Sequence, residues 1–453
     1  MSSTQDNSPH SYNHAVDSPQ RRPTSVRYRV LVFLCGMAFV LYLDRVCISA
    51  AVTPIRQELG LSKRAMSYVL MAFTLAYGIF EIPTGHWGDR FGSRRILTRI
   101  VVWWSAFTAL TAACTGLYSL IAVRFLFGAG EAGAYPNAAR VISRWFPRSE
   151  RGFVQGLFQA ASLLGGALSP FIAELLIKQF GWRIPFLFFG ALGVIWAAAF
   201  YLWFRDDPRH HPGVNPEEAN LLAECRRVTH DLHQQIPWRE VVSRPTIWFL
   251  GLLTTCSAFN TYFYFSWYPT YLKEARLVAP LQAGWLSSVT LVGGMIGALV
   301  GGLLVDQVVR RGGETVIVRR LIASGSYLFA AALLIISLST DSPLVASLLC
   351  SGSVMALYIQ QTVWWSAATE VSGKYLGALF GLMNGLGTFG AMGSQGFVGF
   401  FADWREKQGL TGREQWDPIF YVYTTVLIFG ALVWWLVNPT RVIGESATPT
   451  DQS

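Results

Sequence analysis

Long apolar stretches recur along almost the whole of this chain. A helix needs about 20 mostly apolar residues to cross the hydrocarbon core of a bilayer, which is roughly 30 Å thick. The 453-residue sequence offers twelve such windows, at 28–52, 66–88, 95–114, 117–140, 152–178, 183–204, 245–271, 281–307, 320–340, 343–368, 375–403 and 416–438. Lipid offers no partner to backbone polar groups, so each window is predicted to be a transmembrane helix.

The composition supports a membrane protein and argues against a soluble one. Hydrophobic residues make up 52% of the chain and charged residues only 14%, whereas about a quarter of a soluble protein is charged. The polar stretch before residue 24 lacks the apolar segment of a cleavable signal, so we expect the first helix to be retained. The predicted fold class is an all-α membrane protein of twelve transmembrane helices, embedded in a lipid bilayer.

The distribution of basic residues predicts the orientation in the membrane. Of the 36 lysines and arginines, 24 lie in or next to the tails and the loops on the same side, 10 lie on the opposite side, and Arg45 and Arg124 lie inside predicted spans. Basic loops stay in the cytoplasm, so both termini are predicted to be cytoplasmic, in the inner (plasma) membrane. The net charge of +9 then reflects topology, and no nucleic-acid partner is expected.

The chain divides near its middle at a polar connection. We predict a disordered cytoplasmic tail at 1–27, an N-terminal six-helix bundle at 28–204, a cytoplasmic linker at 205–244, a C-terminal six-helix bundle at 245–438 and a cytoplasmic tail at 439–453. The linker holds histidines at 210, 211, 230 and 233, but without the cysteines or the His and Glu spacing of a metal site. A solvated loop is the better interpretation, and no metal or cofactor is predicted.

The two halves repeat each other's landmarks. The first half carries Pro54 and, 35 residues later, Asp89; the second carries Pro269 and, 37 residues later, Asp306. In each half a glycine precedes that aspartate by four residues, and a basic pair follows it. Internal repeats of this kind are how many transporters are built, with a central cavity between two related bundles.

One segment identifies a family. It reads Gly85-His-Trp-Gly-Asp89-Arg90-Phe-Gly92-Ser-Arg94-Arg95 and resembles the signature loop of the major facilitator superfamily. Together with Leu43-Asp44-Arg45 and the stretch from Arg124 to Asn137, it is similar to the anion:cation symporter branch, which includes hexuronate, galactonate and glucarate permeases, sialin and vesicular glutamate transporters. The resemblance implies two pseudo-symmetric six-helix bundles. It also assigns gating of the cytoplasmic side to Gly85, Asp89, Arg90, Gly92 and Arg95.

Charges near the middle of a predicted span are costly, and we single out four of them: Asp44, Arg45, Arg124 and Glu131. On insertion scales each costs roughly 2.5 to 3.5 kcal/mol, so together they cost about 10 to 14 kcal/mol. Arginine stays charged and offers a planar fork that matches a carboxylate, which makes Arg45 or Arg124 the natural anion ligand. Burial favours a protonated acid and a nearby arginine favours an ionised one, so Asp44 and Glu131 are predicted to carry protons.

These roles suggest a competitive coupling mechanism. A substrate carboxylate occupies an arginine, the displaced acid loses its counter-charge, and that acid binds a proton. The resemblance agrees, because acids at the positions of Asp44 and Glu131 are the protonation sites of proton-driven members. The alternative is a structural salt-bridge network with no direct role in transport.

Further substrate-binding residues follow from the resemblance alone. Tyr77, Trp365 and Asn384 match positions that line the sugar-acid site of galactonate-type relatives. Ser162 stands where such relatives can carry a glutamine, and Gln159 lies almost one turn earlier. This departure puts galactonate itself in doubt, and packing is the alternative role for the two aromatic residues.

The sequence therefore predicts a secondary active transporter and not an enzyme. The predicted reaction is proton-coupled uptake of a small organic anion, a sugar acid or another carboxylate, by a monomer. One alternative is an organic anion antiporter or exporter of the same superfamily. An alternative from another class, a receptor or scaffold without transport, would need a soluble module that the roughly forty-residue linker is too short to supply.

Overall fold

The computed structural model describes residues 22–223, 238–310, 316–372 and 376–438, and it is helical throughout its membrane-spanning part. The helices are α1 (Val26–Leu59), α2 (Lys63–Phe91), α3 (Ser93–Thr111), α4 (Leu117–Glu131), α5 (Ala134–Trp145), α6 (Arg148–Phe180), α7 (Arg183–Trp203), α8 (Pro216–Ala223), α9 (Trp238–Ser243), α10 (Pro245–Ser266), α11 (Tyr268–Glu274), α12 (Pro280–Arg310), α13 (Val316–Ile336), α14 (Pro343–Ser372), α15 (Leu376–Lys407) and α16 (Gly412–Val433).

Every predicted span coincides with a helix or with a broken pair of helices. The span 117–140 divides into α4 and α5, and the span 245–271 divides into α10 and α11. Within the described residues, eight helical stretches are by themselves long and apolar enough to cross a bilayer. The other predicted spans correspond to α2, α3, α10 and α15, which pack against those eight.

Local sequence explains how α1 turns into α2. Gly60 ends α1 in the left-handed conformation at φ 63°, and its N–H donates to the carbonyl of Arg56. Ser62 then caps α2 by accepting a hydrogen bond of 3.1 Å from the Ala65 N–H. Glycine after a helix and serine before one are the residues that these positions favour. The local sequence therefore accounts for the reversal of chain direction.

The packing of the helices repeats in the two halves. In the first half α1 contacts α6, α2 contacts α4, and α3 contacts α7; in the second, α10 contacts α15, α12 contacts α14, and α13 contacts α16. Between the halves, α6 packs on α12 and α2 packs on α15. Exchanging the halves maps this set of contacts onto itself, which confirms two six-helix bundles related by a pseudo-twofold axis.

Ion pairs join the two halves at one end of the molecule. We call the end that carries the start of α1 and the 205–244 connection the linker face, and the other end the far face. At the far face Glu274 pairs with Arg56 at 2.7 Å and with Lys63 at 3.0 Å, and Lys273 pairs with Glu174 at 2.7 Å. Between described residues, all ion pairs that connect the halves lie at this face.

The described part of the linker packs against the start of α1. Glu218 of α8 accepts hydrogen bonds from the Thr24 hydroxyl at 2.5 Å and from the Arg27 N–H at 3.2 Å. His211 is buried with its ring 4.6 Å from that of Trp203, and this burial lowers the pKa of His211. The histidines at 230 and 233 lie outside the described residues.

Candidate functional site

The break between α4 and α5 places Glu131 at the centre of the N-terminal half. Helix α4 ends at Glu131 and α5 begins at Ala134. The Asn137 side chain donates a 2.7 Å hydrogen bond to the Gly133 carbonyl, which supports the intervening turn. A Cβ at Gly133 would lie 2.8 Å from the Cβ of Thr84 in α2, so the turn needs a glycine for this close approach.

Arg45 and Glu131 form the ion pair at the centre of the site. The Arg45 Nε lies 2.8 Å from Glu131 Oε1, and the Nη2 of Arg45 also donates to that oxygen. Three aromatic rings surround the guanidinium, with its Cζ 4.8 Å from the ring centre of Tyr77, 5.0 Å from that of Tyr42 and 5.3 Å from that of Phe73. A guanidinium over aromatic faces in a desolvated site gains cation–π stabilisation besides its ion pair.

Asp44 and Arg124 lie deeper in the N-terminal bundle. Both side chains are about 1% exposed. The Arg124 Cζ lies 4.4 Å from the ring centre of Phe127 and 5.1 Å from that of Phe73, so Phe73 contacts both arginines. The Asp44 carboxylate interacts with the side chains of Trp104 and Thr108, and among the described residues the Nε and the Nη1 of Arg124 have no hydrogen-bond partner.

Tyrosines from both halves approach Arg45. Besides Tyr42 and Tyr77, Tyr262 of α10 and Tyr358 of α14 lie close enough for their hydroxyls to interact electrostatically with its charge. Hydroxyls around a guanidinium match an oxyanion that carries hydroxyl groups. Sequence reasoning selected Tyr77 from this set, but it did not select Tyr42 or Tyr358, which resemble ordinary packing residues in sequence.

The two predicted residues of α6 differ in environment. Ser162 is fully buried and its Oγ lies 2.8 Å from the Tyr135 hydroxyl, so it supports that tyrosine. Gln159 is partly exposed. Of the two, Gln159 is therefore the more accessible to a ligand.

Trp365 lies on α14 in the C-terminal half. Its side chain is 52% exposed and its ring stacks on Phe380 at 4.3 Å. It follows Tyr358 by about two helical turns in the direction of the linker face. On the same helix, Tyr358 is close enough to Arg45 for an electrostatic interaction.

Asn384 bonds to an acid that sequence reasoning missed. Its Nδ2 donates to both carboxylate oxygens of Glu81 in α2, at 2.8 Å and 2.6 Å. Glu81 stands alone in an apolar stretch of the span 66–88, as Glu174 does in the span 152–178. A lone acid inside an apolar window is by itself a functional signal, and this signal could have identified both residues.

The predicted gating residues lie around the turn from α2 to α3. The side chains of Asp89 and Arg90 lie outside the described residues, as does the environment of Gly85, and Arg95 is exposed. Gly92 adopts φ 81°, and a Cβ there would lie 2.8 Å from the Asp206 Oδ2.

Asp206 caps this turn from the end of α7. Its Oδ1 accepts a 2.9 Å hydrogen bond from the Arg94 N–H at the start of α3. A carboxylate at a helix N-terminus satisfies free N–H groups and interacts favourably with the helix dipole. The contact ties the signature loop to the beginning of the linker.

Two glycines of α4 serve helix packing rather than the site itself. A Cβ at Gly128 would overlap the carbonyl oxygen of Phe73 in α2, and a Cβ at Gly130 would overlap the ring of Trp103 in α3. Gly128 allows the backbones of α2 and α4 to approach closely, as small residues do in membrane helices, and Gly130 leaves room for the Trp103 ring of α3. The approach at Gly128 brings Phe73 between the two arginines.

Two related helical bundles, with opposite charges buried between apolar helices, define a polytopic membrane transporter. The sequence model described as "Major Facilitator Superfamily" matches residues 34–395. The chain belongs to this superfamily.

Named relatives are anion transporters. The chain is 31% identical to the "Probable sulfoacetate transporter SauU" of Cupriavidus necator, over 92% of this chain and 95% of that protein. It is 32% identical to the "Probable galactarate/D-glucarate transporter GudP" of Escherichia coli, over 68% of this chain and 72% of that protein. The fold resembles an inward-facing, unoccupied bacterial homologue of the human lysosomal transporter Spinster, with a TM-score of 0.74 and 20% identity over 91% of this chain and 97% of that one.

Proposed function

We propose that this protein is a proton-coupled symporter that takes up a small organic anion, a sugar acid or another carboxylate, by alternating access. The observation that carries the proposal is the Arg45–Glu131 pair, in which a guanidinium and an acid share a hydrogen bond of 2.8 Å between aromatic rings. Such a pair can bind an anion, and the acid that the anion displaces can bind a proton.

Arg45 is the better candidate for the direct anion ligand. Its side chain is 9% exposed, whereas that of Arg124 is 1% exposed. Tyr42 and Tyr77 flank Arg45, and their hydroxyls can bind hydroxyl groups of the same ligand. Arg124 then contributes positive charge without touching the ligand. The Phe73 ring, which both guanidiniums contact, lies between Arg124 and Arg45.

Coupling follows from the exchange of partners at Arg45. When a substrate carboxylate occupies the guanidinium, Glu131 loses its counter-charge in a buried place, and a proton removes the cost of that charge. Asp44 is a second proton site, because its carboxylate is 1% exposed and burial disfavours the charged form. Substrate and protons therefore bind and leave together.

The conformation is one of the two that an alternating-access transporter adopts. The far-face pairs hold the two bundles together at the end opposite the linker. With the linker and both termini in the cytoplasm of a cell with an inner (plasma) membrane, this is the inward-facing form of a monomeric carrier. The residues around Asp89 are proposed to close the cytoplasmic side in the outward-facing form.

The proposal is tested by uptake in proteoliposomes containing the purified full-length protein. Aldonates, uronates, aldarates, sulfonates and smaller organic acids are offered with and without an imposed inward proton gradient. At least one should accumulate above its external concentration only with the gradient. Accumulation that instead requires a second organic anion inside the vesicle would identify an exchanger and contradict symport.

A further inference from the structure

Glu81 is a carboxylate at the interface of the two halves for which the proposed coupling mechanism has no role. It lies on α2, and Asn384 on α15 donates to both of its oxygens, at 2.8 Å and 2.6 Å. An amide that donates to both oxygens suits an ionised carboxylate. The residue therefore places a negative charge between the bundles.

This charge lies near Arg45, the proposed anion ligand. Glu81 follows Tyr77 by one helical turn, and the Tyr77 ring lies 4.8 Å from the Arg45 guanidinium. Glu81 is close enough to Arg45 and Tyr262 to interact with them electrostatically. Its partner Asn384 has an exposed side chain. A ligand bound at Arg45 and extending towards the linker face would meet Glu81 and Asn384.

The charge balance of this region disfavours additional negative charge. Between the described parts of the two bundles, the site contains two cations, Arg45 and Arg124, and three acids, Asp44, Glu131 and Glu81. A monoanionic substrate needs two protons to make the set neutral, and a dianion needs three. Each uncompensated charge in a poorly solvated site is costly.

We infer that Glu81 restricts the substrate to a single negative charge. This inference rests on the proposed function, in which Arg45 holds the substrate carboxylate. A hydroxyl at the end of the substrate that points towards the linker face can donate a hydrogen bond to Glu81. A second carboxylate at that end is repelled by Glu81. Glu81 is thus a specificity-determining residue, and its chemistry selects aldonate-like or uronate-like monoacids over aldarate-like diacids.

A single-charge restriction would distinguish the substrate of this chain from those of the relatives named above. Sulfoacetate, galactarate and glucarate each carry two acidic groups, and these are the substrates in the names of those proteins. A preference of this chain for monoacids would be opposite to theirs. Compounds that differ only at one end of the carbon chain therefore test it directly.

The experiment compares D-gluconate with D-glucarate, and D-galactonate with galactarate, by titration calorimetry on the purified full-length protein. The wild type should bind each monoacid about tenfold more tightly than its diacid, because two like charges within roughly 10 Å in a protein repel by that much. Glu81→Gln should bring the two affinities close together. Glu81→Asp, which keeps the charge, should retain the preference.

The matched control is Glu58→Gln. Glu58 pairs with Arg183 at the far face of the first half, so this variant should leave the ratio of monoacid affinity to diacid affinity unchanged. Thermal melts check that each variant folds, and Glu81→Ser serves as a second neutral variant. An unchanged ratio in the neutral variants, or a wild type that prefers diacids, overturns the inference while leaving anion transport intact. A wild type that binds no acid at all contradicts the proposed substrate class, and the inference fails with it.

Discussion

At the scale of single residues, neighbours in sequence have separate environments. Asp44 and Arg45 are adjacent on α1, but successive side chains on a helix point about 100° apart. Arg45 therefore reaches Glu131 across 86 positions of the chain, while Asp44 is buried near the side chains of Trp104 and Thr108. The proposed roles of Arg45, Asp44 and Glu131 can therefore be tested separately by mutation.

Glu131→Gln should uncouple transport from protons without abolishing binding. The amide keeps an oxygen for Arg45 but cannot exchange a proton at any accessible pH. A gradient of one pH unit supports about tenfold accumulation per proton, and in the variant accumulation should fall towards the external concentration while exchange of labelled for unlabelled substrate continues.

Proteoliposome uptake and exchange measured on one preparation check the prediction for Glu131. The variant Glu58→Gln is the control, since this far-face acid should not affect accumulation. Gradient-driven accumulation that persists in Glu131→Gln would show that another acid, with Asp44 the first candidate, couples the protons.

At the scale of helices, glycines determine where the charged residues meet. The close approach of α4 to α2 at Gly128 puts the Phe73 ring between Arg45 and Arg124. The break after Glu131 then directs that acid towards α1. Glycine, which has a low helix propensity, is used here because packing requires the absence of a Cβ.

Gly128→Ala should destabilise the protein, although alanine is the better helix former. Its Cβ would overlap the Phe73 carbonyl oxygen, and overpacking of this kind costs about 1–3 kcal/mol. The matched control is Gly156→Ala in α6, where a Cβ would meet nothing within 4 Å. That change should be neutral or stabilise by up to about 1 kcal/mol.

Thermal unfolding in one detergent compares the two glycine variants. The apparent melting temperature should fall for Gly128→Ala and not for Gly156→Ala. An equal effect of both substitutions would mean that helix propensity, and not the distance between α2 and α4, dominates at these positions.

At the scale of the whole molecule, ion pairs at the far face stabilise one arrangement of the two bundles. Lys273 pairs with Glu174 at 2.7 Å and donates to the Ala50 carbonyl at 2.8 Å. Glu174 is 1% exposed, and breaking a buried pair costs more than breaking a surface pair, because one charge is left uncompensated. These contacts must separate if the far face opens.

Lys273→Glu should open the far face, because it places a second carboxylate beside Glu174. A shift of about tenfold or more in the population of the two forms is expected. The double variant Lys273→Glu/Glu174→Lys should restore part of the original distribution, since it regenerates an opposite-charge pair.

Spin labels at Tyr118 and Gln408, exposed residues in different halves at the far face, report this opening. Their distance distribution should gain a longer component in Lys273→Glu and lose part of it in the double variant. Equal distributions in all three proteins would show that the ion pair does not control closure.

The sequence was sufficient for much of the fold and for part of the site. Hydropathy located every span, because crossing a bilayer is a property of about 20 consecutive residues. The cost of charges in apolar segments selected Arg45 and Glu131, which the structure brings together. The same rule also points to Glu81 and Glu174, which are acids in apolar windows. The role of Trp365 at the substrate site stays a prediction.

The amino-acid sequence by itself determined that this chain crosses a membrane repeatedly, that its halves repeat and that charges lie inside its spans, since each is a local pattern of residue type. Only the tertiary structure decided that Arg45 pairs with Glu131, that Asn384 binds Glu81 and that Lys273 binds Glu174. These partners are 86, 303 and 99 residues apart. Their meeting depends on how helices pack, which no local pattern specifies.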